Sequence, residues 1–141
     1  MSKLPIFYKG NEMFKLFFTL IGFSYFVLAQ NLITYTNYDQ ALAVAKKENK
    51  PLLMFVYTDY CPWCDKMKKN TLSHKKTIEF IQKNYIFLSV NKDNSVYPEK
   101  FIPRYIPTTY LIDATNEEEL YALYGYKTTT ELIEELDDDE L

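Results

Sequence analysis

The sequence predicts one α/β domain whose sheet is covered by helices on both faces. Two observations carry this. The runs Leu52-Leu53-Met54-Phe55-Val56-Tyr57-Thr58 and Tyr85-Ile86-Phe87-Leu88-Ser89-Val90-Asn91 are almost wholly apolar, as strands buried on both sides are. Segments with helical spacing lie before, between and after them, an alternation that builds a sheet packed by helices. The chain has 141 residues and no internal repeat, enough for one domain with a real core and little more.

Taken in order, Thr36-Asn37-Tyr38-Asp39 supplies helix-capping residues, and Ala41, Leu42, Val44 and Ala45 follow at helical spacing. The cations of Lys46-Lys47-Glu48-Asn49-Lys50 suit the C-terminal end of that helix, and Pro51 stops it. After the first strand, a helix is expected from Pro62 to about Asn70, then a polar break from Thr71 to Lys76. A second helical piece, Thr77 to Asn84, turns Ile78, Phe80 and Ile81 inward. Beyond the second strand come a polar loop from Lys92 to Ser95 and a short helix around Pro98–Arg104. Pro107 then opens a β-branched and aromatic run to Ile112, as proline is accepted at the first position of a strand. Glu117–Glu119 reads as an acidic turn and Leu120–Tyr126 as a strand closed by Gly125. Thr128–Thr130 caps a last helix with Leu132, Ile133 and Leu136 on one face.

Composition is 48% apolar and 25% charged, that of a globular chain rather than a disordered one, and the 17% aromatic content reads as packing. Residues 1–29 carry Lys3, Lys9 and Lys15 against Glu12, which leaves 13 basic and 18 acidic residues after them. An acidic body offers no basic face to nucleic acid, so nucleic-acid binding is not expected.

From Leu16 to Ala29 the chain is uncharged and apolar, with Lys15 before it and Gln30-Asn31 after. That length suits the core of a signal peptide better than a membrane span of about 20 residues. Cleavage is expected after Ala29, with small Val27 and Ala29 at the positions a signal peptidase reads. Met13 is an alternative start, and an uncleaved anchor facing the periplasm is the alternative reading. The expected destination is the bacterial periplasm. The last four residues, Asp138-Asp139-Glu140-Leu141, resemble an endoplasmic-reticulum retention signal, which makes the lumen of that compartment a second possibility.

The only two cysteines stand in Tyr60-Cys61-Pro62-Trp63-Cys64, between an apolar strand and a helix. A sulfur at a helix N-terminus faces unpaired backbone N–H groups and the positive end of the helix dipole, which favour thiolate. Pro62 falls in the first helical turn, where its missing N–H costs nothing. The two intervening residues let Cys64 curl back to Cys61, so the pair can close and reopen a disulfide. This points to thiol–disulfide exchange. The plainer readings are a structural staple, whose tiny loop would give only about 2 kcal/mol by chain entropy, and a metal site, for which two ligands are too few. His74, the single histidine, reads as a surface residue, and Asp59 and Asp65 as solvated acids beside the motif.

With these elements assembled, the sequence resembles the thioredoxin superfamily, in particular its exported thioredoxin-like members. The resemblance covers residues of about 36–136, within a domain expected over 30–141. It rests on the helix ending at Lys50-Pro51, the apolar strand, Cys61-Pro62-Trp63-Cys64, and Ile106-Pro107-Thr108 placed 46 positions after Cys61. It implies a thioredoxin-like fold with a central mixed β-sheet flanked by helices on both faces. In that family the proline is cis and packs beside the disulfide, and its neighbour's backbone holds a peptide like an added strand. By resemblance Pro107 takes that role, Ile106 presents the backbone, and Tyr60 joins them in substrate binding. Cys61 is then the attacking thiolate and Cys64 the resolving thiol, with Pro62 and Trp63 tuning the potential. Ile106 before the proline is like the reducing thioredoxins and favours reduction as the net direction. Two features depart from thioredoxins proper. Phe55 stands about where they bury an acid, and Pro62-Trp63 replaces their glycine-proline pair.

No nicotinamide or flavin site is visible, so no cofactor is expected. Electrons must then come from a soluble or membrane-embedded thiol–disulfide partner, with protein disulfides or thiols as substrates. The alternative function is a non-catalytic module that binds an extended peptide at Pro107 and keeps the disulfide as a staple.

Overall fold

The computed structural model describes residues 31–137. The expected leader at 1–29, the alternative start at Met13 and the acidic Asp138–Leu141 lie outside these residues. Four strands form one mixed sheet in the order β2-β1-β3-β4: β1 (Leu52–Tyr57), β2 (Ile86–Asn91), β3 (Thr108–Ile112) and β4 (Glu119–Tyr124). β1 runs parallel to β2 and antiparallel to β3, and β3 is antiparallel to β4. Tyr35 adds a single parallel bridge to Leu88 at the outer side of β2.

Period-2 alternation along the strands divides the core into two layers. Leu52, Met54, Val56, Ile86, Leu88, Val90, Tyr110 and Ile112 point to one face, where α1 (Tyr38–Glu48) covers them with Tyr38, Ala41, Leu42 and Ala45. Leu53, Phe55, Phe87, Leu111 and Leu123 point to the other. There they meet α2 (Pro62–Lys66) and its continuation to Leu72, α3 (Lys75–Asn84) and α4 (Thr129–Leu136). Helices thus lie on both faces of a mixed sheet, as the sequence leads one to expect. Asn37 caps α1 by accepting from the Gln40 N–H, and Asn49 closes it in the left-handed region at φ 52°, which an asparagine tolerates.

Several expected elements come out differently. The helix from Pro62 keeps α geometry only to Lys66, then widens into a π-helical turn over Met67–Leu72. The polar break is also less polar than its composition. Thr71 and Thr77 are fully buried, because their hydroxyls find partners in the carbonyl of Lys127 and the hydroxyl of Thr129. His74 begins α3, its Nδ1 accepting from the Lys76 N–H, so the helix starts two residues earlier than expected. Around Pro98–Arg104 there is only one 3-10 turn, Glu99–Phe101. Pro103 disfavours a helical Ile102, which is extended at ψ 111°. β4 ends at Tyr124, because Gly125 turns away at φ 78° and gives its N–H to the Pro107 carbonyl at 2.8 Å. α4 opens with a capping box: Thr128 Oγ1 accepts from the Glu131 N–H, and Glu131 Oε2 accepts from the Thr128 N–H.

Candidate functional site

The sheet register decides where the cysteines lie. Tyr57, the last residue of β1, pairs with Asn91 at the end of β2, and Val56 pairs with Thr108 near the start of β3. Thr108 in turn pairs with Tyr124 at the end of β4. One end of the sheet therefore gathers the exit of β1 towards Cys61, the entry to β3 at Pro107, and the Tyr124-Gly125-Tyr126 corner. The short connection from β1 is held by Asp59, whose Oδ1 accepts from Asn91 Nδ2 at 3.0 Å, and by Tyr60 at φ 60°. A left-handed conformation is uncommon for a bulky residue. It lets the chain reverse within one step and enter α2.

Cys61 is the N-cap of α2 and Pro62 its first residue. The Cys64 N–H donates to Cys61 Sγ at 3.2 Å, and the Asp65 N–H donates to the Cys61 carbonyl at 3.1 Å. A backbone donor and the helix dipole thus converge on the first sulfur, the arrangement that stabilises a thiolate. The two sulfurs form a disulfide, with Cα atoms 5.2 Å apart. Cys61 is half-buried, whereas Cys64 is 0% exposed in the layer formed by Phe55, Met67 and Ile81. The partners differ in access, and only the first can meet a bulky reactant.

Ile106 and Pro107 are joined by a cis peptide bond; Pro107 is buried, and half-buried Ile106 packs against both core layers. Tyr60 is completely exposed and Trp63 is 55% exposed. Four residues of this end, Lys66, Tyr105, Tyr124 and Tyr126, were not singled out in the sequence. Tyr126 lies 5.9 Å from Trp63, with the Lys66 ammonium over both rings at 4.5 and 4.9 Å from their centroids. Exposed Tyr105 and Tyr124 meet edge to face at 6.2 Å. The signal for them was faint, because tyrosine is abundant throughout the chain. Phe55 is fully buried in the layer that holds Cys64 and stacks on Tyr57 at 6.0 Å. Among the described residues, no group of three or more His, Cys, Asp or Glu is placed to hold a metal ion, and no helix is long and apolar enough to cross a membrane.

A family model described as thioredoxin-like matches residues 33–114. The chain belongs to the thioredoxin-like family. This thioredoxin-like chain is 31% identical over 94 residues to anterior gradient protein 2 of Xenopus laevis, a match covering 64% of this chain and 50% of that protein. The chain thus spans about half the length of that curated relative. Its fold is similar to that of a thioredoxin from Thermus thermophilus, with a TM-score of 0.65 and 24% identity over 76% of this chain and 85% of that one. It is also similar to a DsbH oxidoreductase, with a TM-score of 0.64 and 20% identity over 76% and 83%. A thioredoxin-like fold carrying the Cys61–Cys64 pair is consistent with a thiol–disulfide oxidoreductase.

Proposed function

We propose that the protein is an exported thiol–disulfide oxidoreductase that reduces disulfides in protein substrates through Cys61 and Cys64. One observation carries the reading: a half-buried Cys61 sulfur receives a backbone N–H at the start of α2, with fully buried Cys64 in covalent reach behind it. The reduced Cys61 thiolate attacks a substrate disulfide and forms a mixed disulfide, and one substrate sulfur leaves as a thiol. Cys64 then attacks Cys61 Sγ, the bond from Cys61 to the substrate breaks, and the second substrate thiol departs. We assign Ile106 and Pro107, joined by a cis peptide bond just before β3, to holding the backbone of an extended peptide, and exposed Tyr60 and Trp63 to apolar contact with its side chains. Pro62 and Trp63 set the potential of the pair. A thiol–disulfide partner, in the membrane or soluble, returns electrons to it. Export follows from the uncharged Leu16–Ala29 segment, with the bacterial periplasm as destination.

The test is the equilibrium potential of the pair in the full chain, titrated against glutathione. A value near about −270 mV supports a reductant, whereas one near about −120 mV would reverse the direction to disulfide donation. A pair that glutathione cannot open would overturn the redox reading and leave a structural staple beneath a peptide-binding surface.

A further inference from the structure

The apolar layer that buries Cys64 includes the ionisable side chains of Cys61, Tyr57, Tyr85 and Tyr126. Phe55 and Leu53 present only apolar side chains from β1, and Ile81, Leu132 and Leu136 do the same from α3 and α4. Lys68 approaches the edge of this layer. It follows Cys64 by four residues, about one helical turn, and stands next to fully buried Met67. Its ammonium lies 3.1 Å from the centroid of the Tyr57 ring, and that ring stacks on Phe55. Lys68 also lines a cavity of about 380 Å³ with Leu72, Phe87 and Ser89, and Ser89 is the β2 residue paired with Phe55. A cation is therefore held against the strand pair that backs the disulfide, with an opening beside it.

We propose that Lys68 is a positioning residue for the resolving step: its ammonium, held over Tyr57 one turn from Cys64, stabilises the Cys64 thiolate. The inference rests on the thiol–disulfide exchange proposed above. In that step the Cys64 thiolate gives an electron pair to Cys61 Sγ, and the bond from Cys61 to the substrate sulfur breaks. The substrate sulfur departs with that bond's electrons and takes a proton from solvent, which balances the proton Cys64 released to become a thiolate. A positive charge near Cys64 lowers the cost of that release. Burial pushes the Lys68 ammonium below its ordinary range, while the carboxylates of Asp65 on α2 and Asp59 in the preceding turn favour its charged form. Asp59 is fixed by Asn91, so this counter-charge does not depend on a mobile side chain.

The test isolates one thiol. In the full chain carrying Cys61→Ser, Cys64 is titrated by its ultraviolet thiolate absorbance. Lys68→Met is expected to raise its pKa by roughly half a unit or more, Lys68→Arg to leave it in place, and Lys66→Met, on the Trp63 side, to leave it in place. An unchanged pKa in Lys68→Met would overturn the proposal, as would an arginine variant that shifts as far as the methionine variant. Urea midpoints confirm that each variant is folded. The readout needs no substrate exchange, so a failure here stays separate from the wild-type glutathione titration that judges the oxidoreductase reading.

Discussion

The hydroxyl of Thr71 donates a 2.6 Å hydrogen bond to the carbonyl oxygen of Lys127, 56 positions along the chain. Thr71 is fully buried in the π-helical turn, and Lys127 directly precedes the capping box of α4. The bond ties the helix that carries the cysteines to the last helix of the same layer. Thr71→Val keeps the shape and removes the donor, leaving a carbonyl short of its partner. The expected cost is about 1–3 kcal/mol. It should appear as a lower urea midpoint with an unchanged slope, and an unchanged midpoint would show that the bond contributes nothing.

Phe55 carries the packing behind the disulfide. Phe55→Ala removes a fully buried aromatic ring that stacks on Tyr57 within the layer that buries Cys64, with an expected loss of about 3–5 kcal/mol, and Phe55→Leu should lose much less. Equilibrium unfolding of the oxidised protein measures both. Equal losses would mean that ring volume is not what the site needs.

The unequal exposure of the two sulfurs makes their single variants unequal. Cys64→Ala leaves the accessible Cys61 able to form a mixed disulfide that nothing resolves, so adducts with disulfide-containing proteins should accumulate and vanish on reduction. Cys61→Ser should form none. Non-reducing gels compare them, and adducts in the Cys61 variant would reverse the assigned roles.

Alkaline stability should depend on Tyr38. Burial first, then the Glu117 carboxylate that its hydroxyl faces at 3.4 Å, push this phenol up from 10.0 to about 12. The folded chain holds the proton more tightly than the unfolded one, so this contribution is fully present below pH 10 and is lost as pH rises towards 12. Tyr38→Phe has no proton to lose there, and its urea midpoint should fall less steeply across that window than that of the wild type. Tyr110, pushed up to about 12 mainly by burial, retains part of the slope in the variant. Parallel slopes would contradict the assignment.

The parts of the fold legible in the sequence are those governed by local rules. The almost wholly apolar β1 and β2 announced a sheet covered on both sides, Asn37 and Thr128 announced helix starts, and Pro62 marked the first turn after Cys61. What escaped depends on distant partners. Thr71 and Thr77 read as loop polarity, because their satisfied hydroxyls rely on Lys127 and Thr129 more than 50 residues away. The pairings of Trp63 with Tyr126 and of Tyr105 with Tyr124 follow from strand register, which no window of sequence contains. Lys68 looked like one cation among several in a polar helix, until Tyr57 beneath it gave it a place.

The π-helical turn separates two jobs that a regular helix would couple. Its hydrogen bonds reach one residue further than those of an α-helix, so Met67–Leu72 holds more chain per turn and resets the angle at which later side chains leave the axis. Cys61 and Cys64 are aimed by the end of β1, whereas Thr71 and Leu72 are aimed by α3 and α4. The extra residue is the joint that satisfies both. Deleting one residue between Met67 and Asn70 would restore an even helix and put the two ends out of phase, so the chain could keep its disulfide aligned or its last helix docked, but not both.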